Sequence, residues 1–287
     1  MVALSLNALV AALTSPLALH GIASTSSTAS PTALGLRSTT PLGHGVPLRI
    51  MPLGASITYG TASTDGNGYR ASLRSQIVSG PGNPVNMVGS EQVGTMVDND
   101  VEGWPGYRIE QVHEQALLAA STPQWHPNVF LINAGTNDAA QHYHVSAAGD
   151  RMEAMLDDLW RISPRAVVVL STLLVNRNAS TEANVGIINT QLQALATKLR
   201  FRQGRRIVLV DMHSEAGPGT ADLVDGTHPN DGGYVKMANI WFQGLVVASD
   251  LGWLLPPQWL DGVPDDGAAT TTDTPDDAAD DNSPVTD

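Results

Sequence analysis

Short apolar runs alternate with longer segments of helical periodicity between residues 47 and 251. The runs have the length of strands and lack polar alternation, which is typical of parallel strands covered on both faces. They lie at residues 47–53, 85–88, 129–133, 166–172 and 206–211. Helices are predicted at residues 69–78, 109–120, 147–162, 183–201 and 233–251. The alternation predicts an α/β fold of three layers, with helices on both faces of a five-stranded parallel sheet.

The two ends of the chain differ in composition from this central region. Residues 1–23 are apolar and end in small residues, which predicts an export signal; because they lack Lys and Arg, a frayed apolar N-terminus is the alternative. Residues 24–46 are rich in Ser, Thr, Pro and Gly and predict a linker. Residues 262–287 contain eight Asp and predict a disordered acidic tail. The folded domain is therefore expected at residues 47–261.

Composition excludes several classes of protein. The net charge of −13 is largely a property of the tail, and the three arginines at 202, 205 and 206 fit a solvated helix end better than a nucleic-acid groove. The sequence has no cysteine, which excludes disulfides, thiolate metal sites and a Cys nucleophile. No segment is long and uninterrupted enough for a convincing membrane span. We expect a secreted monomer, and the sequon Asn178-Ala179-Ser180 agrees with secretion.

A serine stands directly after the first predicted strand, in the stretch MPLGASITYG at residues 51–60. The carboxyl ends of parallel strands gather at one edge of the sheet, where α/β proteins place their sites. The GTND turn at 135–138 and residues 211–213 are predicted at the same edge. Ser56 is therefore either the cap of a helix or a nucleophile.

An aspartate and a histidine lie close together near the end of the domain, in the stretch DGTHPND. Asp225 precedes His228 by three residues, so its carboxylate can hold one ring nitrogen while the other accepts a proton. Taken alone, the pair fits a surface turn better than a catalytic site.

Four blocks in order are more specific than any one of them. Ser56 follows the first strand, Gly106 lies in EGWPGYRI, Asn137 in LINAGTND and His228 in DGTHPND. Together they resemble the SGNH, or GDSL-type, hydrolase superfamily over most of the predicted domain. The resemblance implies a flavodoxin-like α/β/α sandwich that hydrolyses esters without cofactor or metal.

The resemblance also implies a role for each block. Ser56 is the expected nucleophile, His228 its general base and Asp225 the carboxylate that orients the imidazole. The backbone N–H groups of Ser56 and Gly106 and the side-chain amide of Asn137 are the expected oxyanion hole. Glycine suits this role at position 106, because a missing Cβ lets the backbone approach the reacting carbon. Locally, Gly106 equally fits a Pro-Gly turn before a helix, and Asn137 fits a turn residue.

Further motifs narrow the resemblance. The stretches NGYR, VGS and MVDNDVEGWPGYRI, with the four blocks, are similar to carbohydrate esterase family 3, which implies removal of acetyl groups from xylan. One position departs from the superfamily, because Ala55 stands where Asp usually precedes the serine. That Asp is a supporting residue, so its loss puts loop rigidity in doubt more than the reaction.

Aromatic residues near the blocks are candidates for substrate binding. Trp104, Tyr107 and Tyr143 can stack on sugar rings, although core packing explains them equally well. Trp241 and Trp253 fit the core or a helix end better.

Other polar clusters have ordinary explanations. Residues 98–102 lack the glycine and terminal glutamate of an EF-hand, which favours a solvated turn over a calcium loop. His142 and His144 fit a loop beside the cleft better than a metal pair, and His213 has no assigned role.

The sequence therefore predicts a secreted serine esterase that deacetylates plant cell-wall polysaccharide. One alternative is another GDSL-type esterase or lipase, acting on short-chain, aryl or pectic esters with the same machinery. A second, from a different class, is a non-catalytic carbohydrate-binding protein with a disabled site, against which the retained Ser56, His228 and Asp225 argue.

Overall fold

A computed structural model describes residues 40–123 and 125–258 of the chain. Within these ranges it contains seven strands, which are β1 Leu48–Gly54, β2 Val85–Met87, β3 Glu91–Gln92, β4 Asp100–Gly103, β5 Val129–Asn133, β6 Val167–Ser171 and β7 Ile207–Val210. The α-helices are α1 Ser56–Tyr59, α2 Arg70–Ser79, α3 Ile109–Ala120, α4 Thr136–Ala140, α5 Ala148–Ile162, α6 Ala179–Gln203 and α7 Asp231–Asp250. The predicted α/β class is confirmed.

The strands form one mostly parallel sheet in the order β3-β4-β1-β5-β6-β7. One edge of β1 is shared, because β2 pairs in parallel with its first half and β4 with its end. Among these seven strands, the only antiparallel pair is β3 with β4. The last residues of β1 and β5, Gly54 and Asn133, are direct partners, so the loops that follow them start side by side.

The predicted count of five strands is wrong, because β3 and β4 were not predicted. These strands are two and four residues long and mostly polar, so they lack the apolar run that marked the other five. The expectation of a solvated turn at residues 98–102 is also wrong. Asp98 and Glu102 are 6% and 0% exposed and accept hydrogen bonds from the backbone N–H groups of Met87 and Ser90.

Two apolar clusters cover the two faces of the sheet. Helices α3, α5 and α6 contribute to one cluster, and helices α2 and α7 contribute to the other. Trp241 lies fully buried in the second cluster, where its ring contacts that of Tyr69. The central strands are buried along their whole length, which explains why their sequences show no alternation.

The start of helix α6 differs from the prediction because of its N-cap residue. Helix α6 begins at Ala179 rather than at residue 183, because Asn178 Oδ1 accepts the N–H groups of Ser180 and Thr181 at 3.0 Å. The short helices α1 and α4, of four and five residues, escaped prediction because each spans little more than one turn.

The packed chain begins slightly before the predicted domain. Leu42 opens a 3₁₀ turn, is 2% exposed and donates its N–H to Asn83 Oδ1, although residue 42 falls in the predicted linker. The predicted signal at 1–23, the linker up to residue 39 and the tail at 262–287 lie outside the described residues. No helix in the described ranges has the length and apolar character needed to cross a bilayer.

Candidate active site

Ser56 is the first residue of helix α1, two residues after the end of β1. Packing requires glycine at position 54, because a Cβ there would overlap Asn133 O and Thr58 Oγ1. Ala55 lies between them, 6% exposed, and provides no side-chain cap for α1. The small residues before Ser56 therefore let the chain reverse at the sheet edge and leave the serine half-buried at its surface.

His228 and Asp225 approach Ser56 from the loop that precedes helix α7. His228 Nε2 lies 2.8 Å from Ser56 Oγ, and His228 Nδ1 lies 2.7 Å from Asp225 Oδ2. The structure thus brings together, in one chain of hydrogen bonds, three residues that are up to 172 positions apart in sequence. An imidazole held in this way can take a proton from the serine hydroxyl.

The carboxylate of Asp225 is stabilised in its charged form. Burial by itself would raise its pKa, but the hydrogen bonds from the backbone N–H and ring of His228 and from the N–H of Thr227 outweigh it. The result is a pKa lowered from 3.8 to about 2. Asp225 therefore stays ionised in any near-neutral assay, and its Oδ2 can hold the ring N–H of His228.

This lowered pKa predicts a contribution of Asp225 to acid stability. A group with a lowered pKa in the folded state stabilises the fold above its unfolded pKa and loses that effect as the pH falls through the folded value. We expect the free energy of unfolding of the wild type, relative to Asp225→Asn, to fall between pH about 4 and pH about 2. Denaturant unfolding at several pH values measures it, and a difference that is constant with pH would contradict the assignment.

Gly106 lies in a tight turn that follows β4 and is bonded at Trp104 N to Gly54 O, at the end of β1. Tyr107 N donates to Trp104 O at 3.1 Å, with Pro105 and Gly106 at the two central positions. Gly106 has φ of +83°, as the third position of a type II turn requires, and a Cβ there would meet no protein atom within 4 Å. The glycine is thus needed for the backbone conformation rather than to avoid a neighbour.

Asn137 faces the same turn from the first turn of helix α4. Its Nδ2 donates to Tyr107 O at 2.9 Å, which uses one of the two amide hydrogens and leaves the other free to bind a further acceptor. The backbone N–H groups of Ser56 and Gly106 donate to no acceptor within the described ranges. Asn137 is therefore part of a helix, whereas the local sequence also fitted a turn residue. Its side chain is anchored to the Gly106 turn.

The three predicted aromatic residues have different surroundings. Trp104 and Tyr107 stack with their ring centroids 5.6 Å apart and their planes at 21°, and Trp104 N donates to Gly54 O at 3.0 Å. Tyr143 is covered by the Arg108 guanidinium, 4.0 Å from its centroid, and lies edge-on to His144. Trp104 is therefore held against the end of β1, two residues before the serine, whereas one face of Tyr143 is occupied by an arginine.

Sequence reasoning missed the residues that hold the His228 loop. Arg177 donates through its guanidinium to Thr220 O and Leu223 O, and through its backbone N–H to Gly226 O. Its neighbour Asn176 donates to Thr227 Oγ1 at 2.9 Å. These bonds join residues about 40 to 50 positions apart, and nothing in the surrounding sequence marks them.

Sequence reasoning also assigned no role to Asp138, which directly follows Asn137. Its side chain is fully buried, accepts the N–H of Ile109 at 3.1 Å and pairs with Arg151. Burial raises its pKa, and the bonds to Arg151 and Ile109 oppose that rise. Asp138 thereby joins helix α4, which carries Asn137, to the start of helix α3.

The other histidines have partners outside this arrangement. His142 contacts Ser180 Oγ and Asn184 Nδ2 at 3.2 and 3.0 Å, and His213 Nε2 lies 2.8 Å from Glu182 Oε1. Over the described part of the chain, no three side chains of the metal-binding types cluster as a metal site.

Comparison with known proteins identifies the family of the chain. The model of the GDSL-like Lipase/Acylhydrolase family matches residues 53–236. A curated relative, the multidomain esterase of Ruminococcus flavefaciens, is 28% identical over 229 residues, which are 71% of this chain and 29% of that protein. The chain therefore spans less than a third of that relative.

Two solved structures share the fold. A family 3 carbohydrate esterase of Clostridium thermocellum has a TM-score of 0.61 and 23% identity, with 72% of this chain and 99% of that one covered. A carbohydrate esterase family 3 protein of Talaromyces cellulolyticus has a TM-score of 0.59 and 21% identity, with coverage of 70% and 98%.

Proposed function

The chain belongs to the GDSL-like lipase/acylhydrolase family. From that premise we propose that it is a carboxylic ester hydrolase, namely a secreted serine esterase that removes acetyl groups from plant cell-wall polysaccharide. The observation that carries the reaction is the hydrogen-bonded chain from Ser56 through His228 to Asp225. The substrate is supported by the motifs of carbohydrate esterase family 3 and by the two similar structures from that family.

The proposed reaction starts with the serine hydroxyl. Ser56 Oγ attacks the carbonyl carbon of the acetyl ester while His228 Nε2 takes its proton, and Asp225 stabilises the resulting imidazolium. The intermediate collapses as His228 returns the proton to the departing sugar oxygen, which leaves an acetyl-enzyme on Ser56. A water molecule, deprotonated by the same imidazole, then releases acetate and restores the serine.

The negative charge of the tetrahedral intermediate needs hydrogen-bond donors that are already in place. We assign this role to the N–H groups of Ser56 and Gly106 and to the second amide hydrogen of Asn137. The support is that these donors have no acceptor within the described part of the chain, while the Asn137 amide and the Gly106 turn are tied together by the bond to Tyr107 O.

Replacing Asn137 with alanine removes one proposed oxyanion donor. We expect kcat to fall by about 100-fold to 1,000-fold, because one such donor stabilises the transition state by on the order of 3 kcal/mol. The measurement is kcat on p-nitrophenyl acetate. Asn184→Ala, which changes an amide bonded to Ala139 O on the far end of α4, is the matched control and should stay close to wild type. A fall of less than threefold in Asn137→Ala would remove Asn137 from the oxyanion hole.

The substrate proposal is tested by product analysis. Mass spectrometry of a defined acetylated xylan after incubation should show stepwise loss of acetyl groups, with equimolar acetate in solution. A preference for long-chain p-nitrophenyl esters, with no acetate released from xylan, would assign the same machinery to lipid esters instead. Export is tested separately, by the N-terminal sequence of the protein recovered from culture medium, where a start near residue 24 is expected.

A further inference from the structure

The turn from Trp104 to Tyr107 is anchored at both of its ends. At the Tyr107 end, its carbonyl accepts the amide of Asn137. At the Trp104 end, the indole Nε1 donates to Glu102 Oε1 at 2.6 Å, the short distance of a charge-assisted bond. The two rings stack across the turn, so the orientation of the Trp104 ring is set by Glu102 on one side and by Tyr107 on the other.

Glu102 is a buried carboxylate that the proposed reaction does not use. It is 0% exposed on strand β4, and its second oxygen accepts the N–H and hydroxyl of Ser90, both at 2.9 Å. Burying a carboxylate costs free energy unless its oxygens accept hydrogen bonds. The hydrogen bonds to the Glu102 side chain come from Ser90 on one side and from Trp104 on the other. Burial raises the pKa of Glu102, and its hydrogen bonds oppose that rise.

Strand β4, which contains Glu102, pairs with the end of β1, directly before the loop of Ser56. Gly103, the residue between Glu102 and Trp104, packs so closely on α1 that a Cβ there would lie 2.7 Å from Tyr59 N. Trp104 N is bonded to Gly54 O, two residues before Ser56. The backbone of Trp104 is therefore fixed against the strand that leads to Ser56, and its side chain is only partly buried.

We propose that Glu102 is a positioning residue that determines specificity, by fixing the Trp104 ring as the wall on which the sugar carrying the ester rests. The inference rests on the proposed function, since it names the part of the site that binds the sugar. An indole face suits the apolar face of a pyranose, and a ring already held in one rotamer loses little conformational entropy when the sugar binds. Small aryl acetates need no such wall.

The test separates sugar binding from chemistry. Glu102→Gln and Trp104→Phe should each raise KM for acetylated xylan about threefold to tenfold, the cost of ordering one freed side chain on binding. Both should keep kcat on xylan within about twofold, and any loss of kcat/KM on p-nitrophenyl acetate should be smaller than the loss on xylan, because the proposed wall contacts the sugar rather than the acetyl group. Trp104→Phe keeps an aromatic ring but lacks the N–H, so it reports on the bond to Glu102 even if Glu102→Gln folds poorly.

Two further variants identify the bond responsible. Glu91→Gln makes the same change in a neighbouring carboxylate on β3 and should behave as wild type. The double variant Glu102→Gln/Trp104→Phe should raise KM no further than either single variant, because both weaken the same bond. The amide has one acceptor oxygen for the donors of Ser90 and Trp104 on two sides, and phenylalanine has no N–H to donate. Additive effects, or equal losses on xylan and on p-nitrophenyl acetate, would overturn the inference and assign Glu102 a purely structural role.

The outcome for the wild type distinguishes this inference from the proposed function. A wild type that releases no acetate from acetylated xylan refutes the proposed substrate and, with it, the sugar-binding role of Trp104. A wild type that deacetylates xylan, with KM unchanged in Glu102→Gln and Trp104→Phe, leaves the proposed function in place and refutes the inference alone.

Discussion

Ser56→Ala is expected to lower kcat on p-nitrophenyl acetate by at least about 10,000-fold, because the variant has no oxygen to form the acetyl-enzyme. The protein should fold normally, since Ser56 is half-buried and the change removes one oxygen at the sheet edge. The thermal midpoint and the circular dichroism spectrum should match those of the wild type. The measurement is the initial rate at saturating substrate.

The matched control is a serine with no place in the site. Ser75→Ala makes the same change on an exposed position of helix α2 and should retain full activity. A Ser56→Ala protein that keeps more than about one hundredth of the wild-type kcat would exclude Ser56 as the nucleophile, because such a residual rate exceeds what binding and oxyanion donors supply alone.

Asp225→Asn is expected to lower kcat by about 1,000-fold, with KM changed little. The carboxylate accepts the ring N–H of His228, and an amide in its place can present a donor to that nitrogen and favour the wrong tautomer. We expect a smaller loss of kcat than the largest that such substitutions cause, because the Asp225 side chain is 53% exposed and water can replace part of its interaction. Steady-state kinetics on p-nitrophenyl acetate measure it.

The control for Asp225 lies in the same loop. Asp222→Asn alters a carboxylate that pairs with Lys236 rather than with His228, and its kcat should stay within about threefold of wild type. If both variants lost activity equally, the loss would reflect a loosened loop, and the orientation of the imidazole by Asp225 would not be supported.

The fold was predictable where burial leaves a mark on the sequence. Strands β1, β5 and β6 are buried over their full length, and a continuous apolar run indicates such a strand without knowledge of its neighbours. Strands β3 and β4 carry polar side chains whose partners lie elsewhere in the chain. Glu102 is a buried carboxylate that accepts hydrogen bonds from Ser90 and Trp104, and local composition reveals neither its burial nor its bonds.

The sequence predicted the proposed catalytic residues better than the residues that hold their loops in place. The order of the four blocks pointed to Ser56, His228 and Asp225, and the structure places these three in hydrogen-bond contact. The bonds of Arg177 and Asp138 depend on which loops meet, and that is decided by the topology of the sheet. At Gly106 the structure adds a second reason for glycine, because the residue has a positive φ of +83°.

The central claim is that His228 activates the hydroxyl of Ser56, and a fluorophosphonate probe tests it most directly. Intact-protein mass spectrometry should show one adduct per chain, and peptide mapping should place it on Ser56. His228→Ala should react far more slowly at the same position, because the hydroxyl then has no base. An active wild type that carries the adduct on another residue, or labelling of Ser56 that is as fast without the imidazole, would contradict the account.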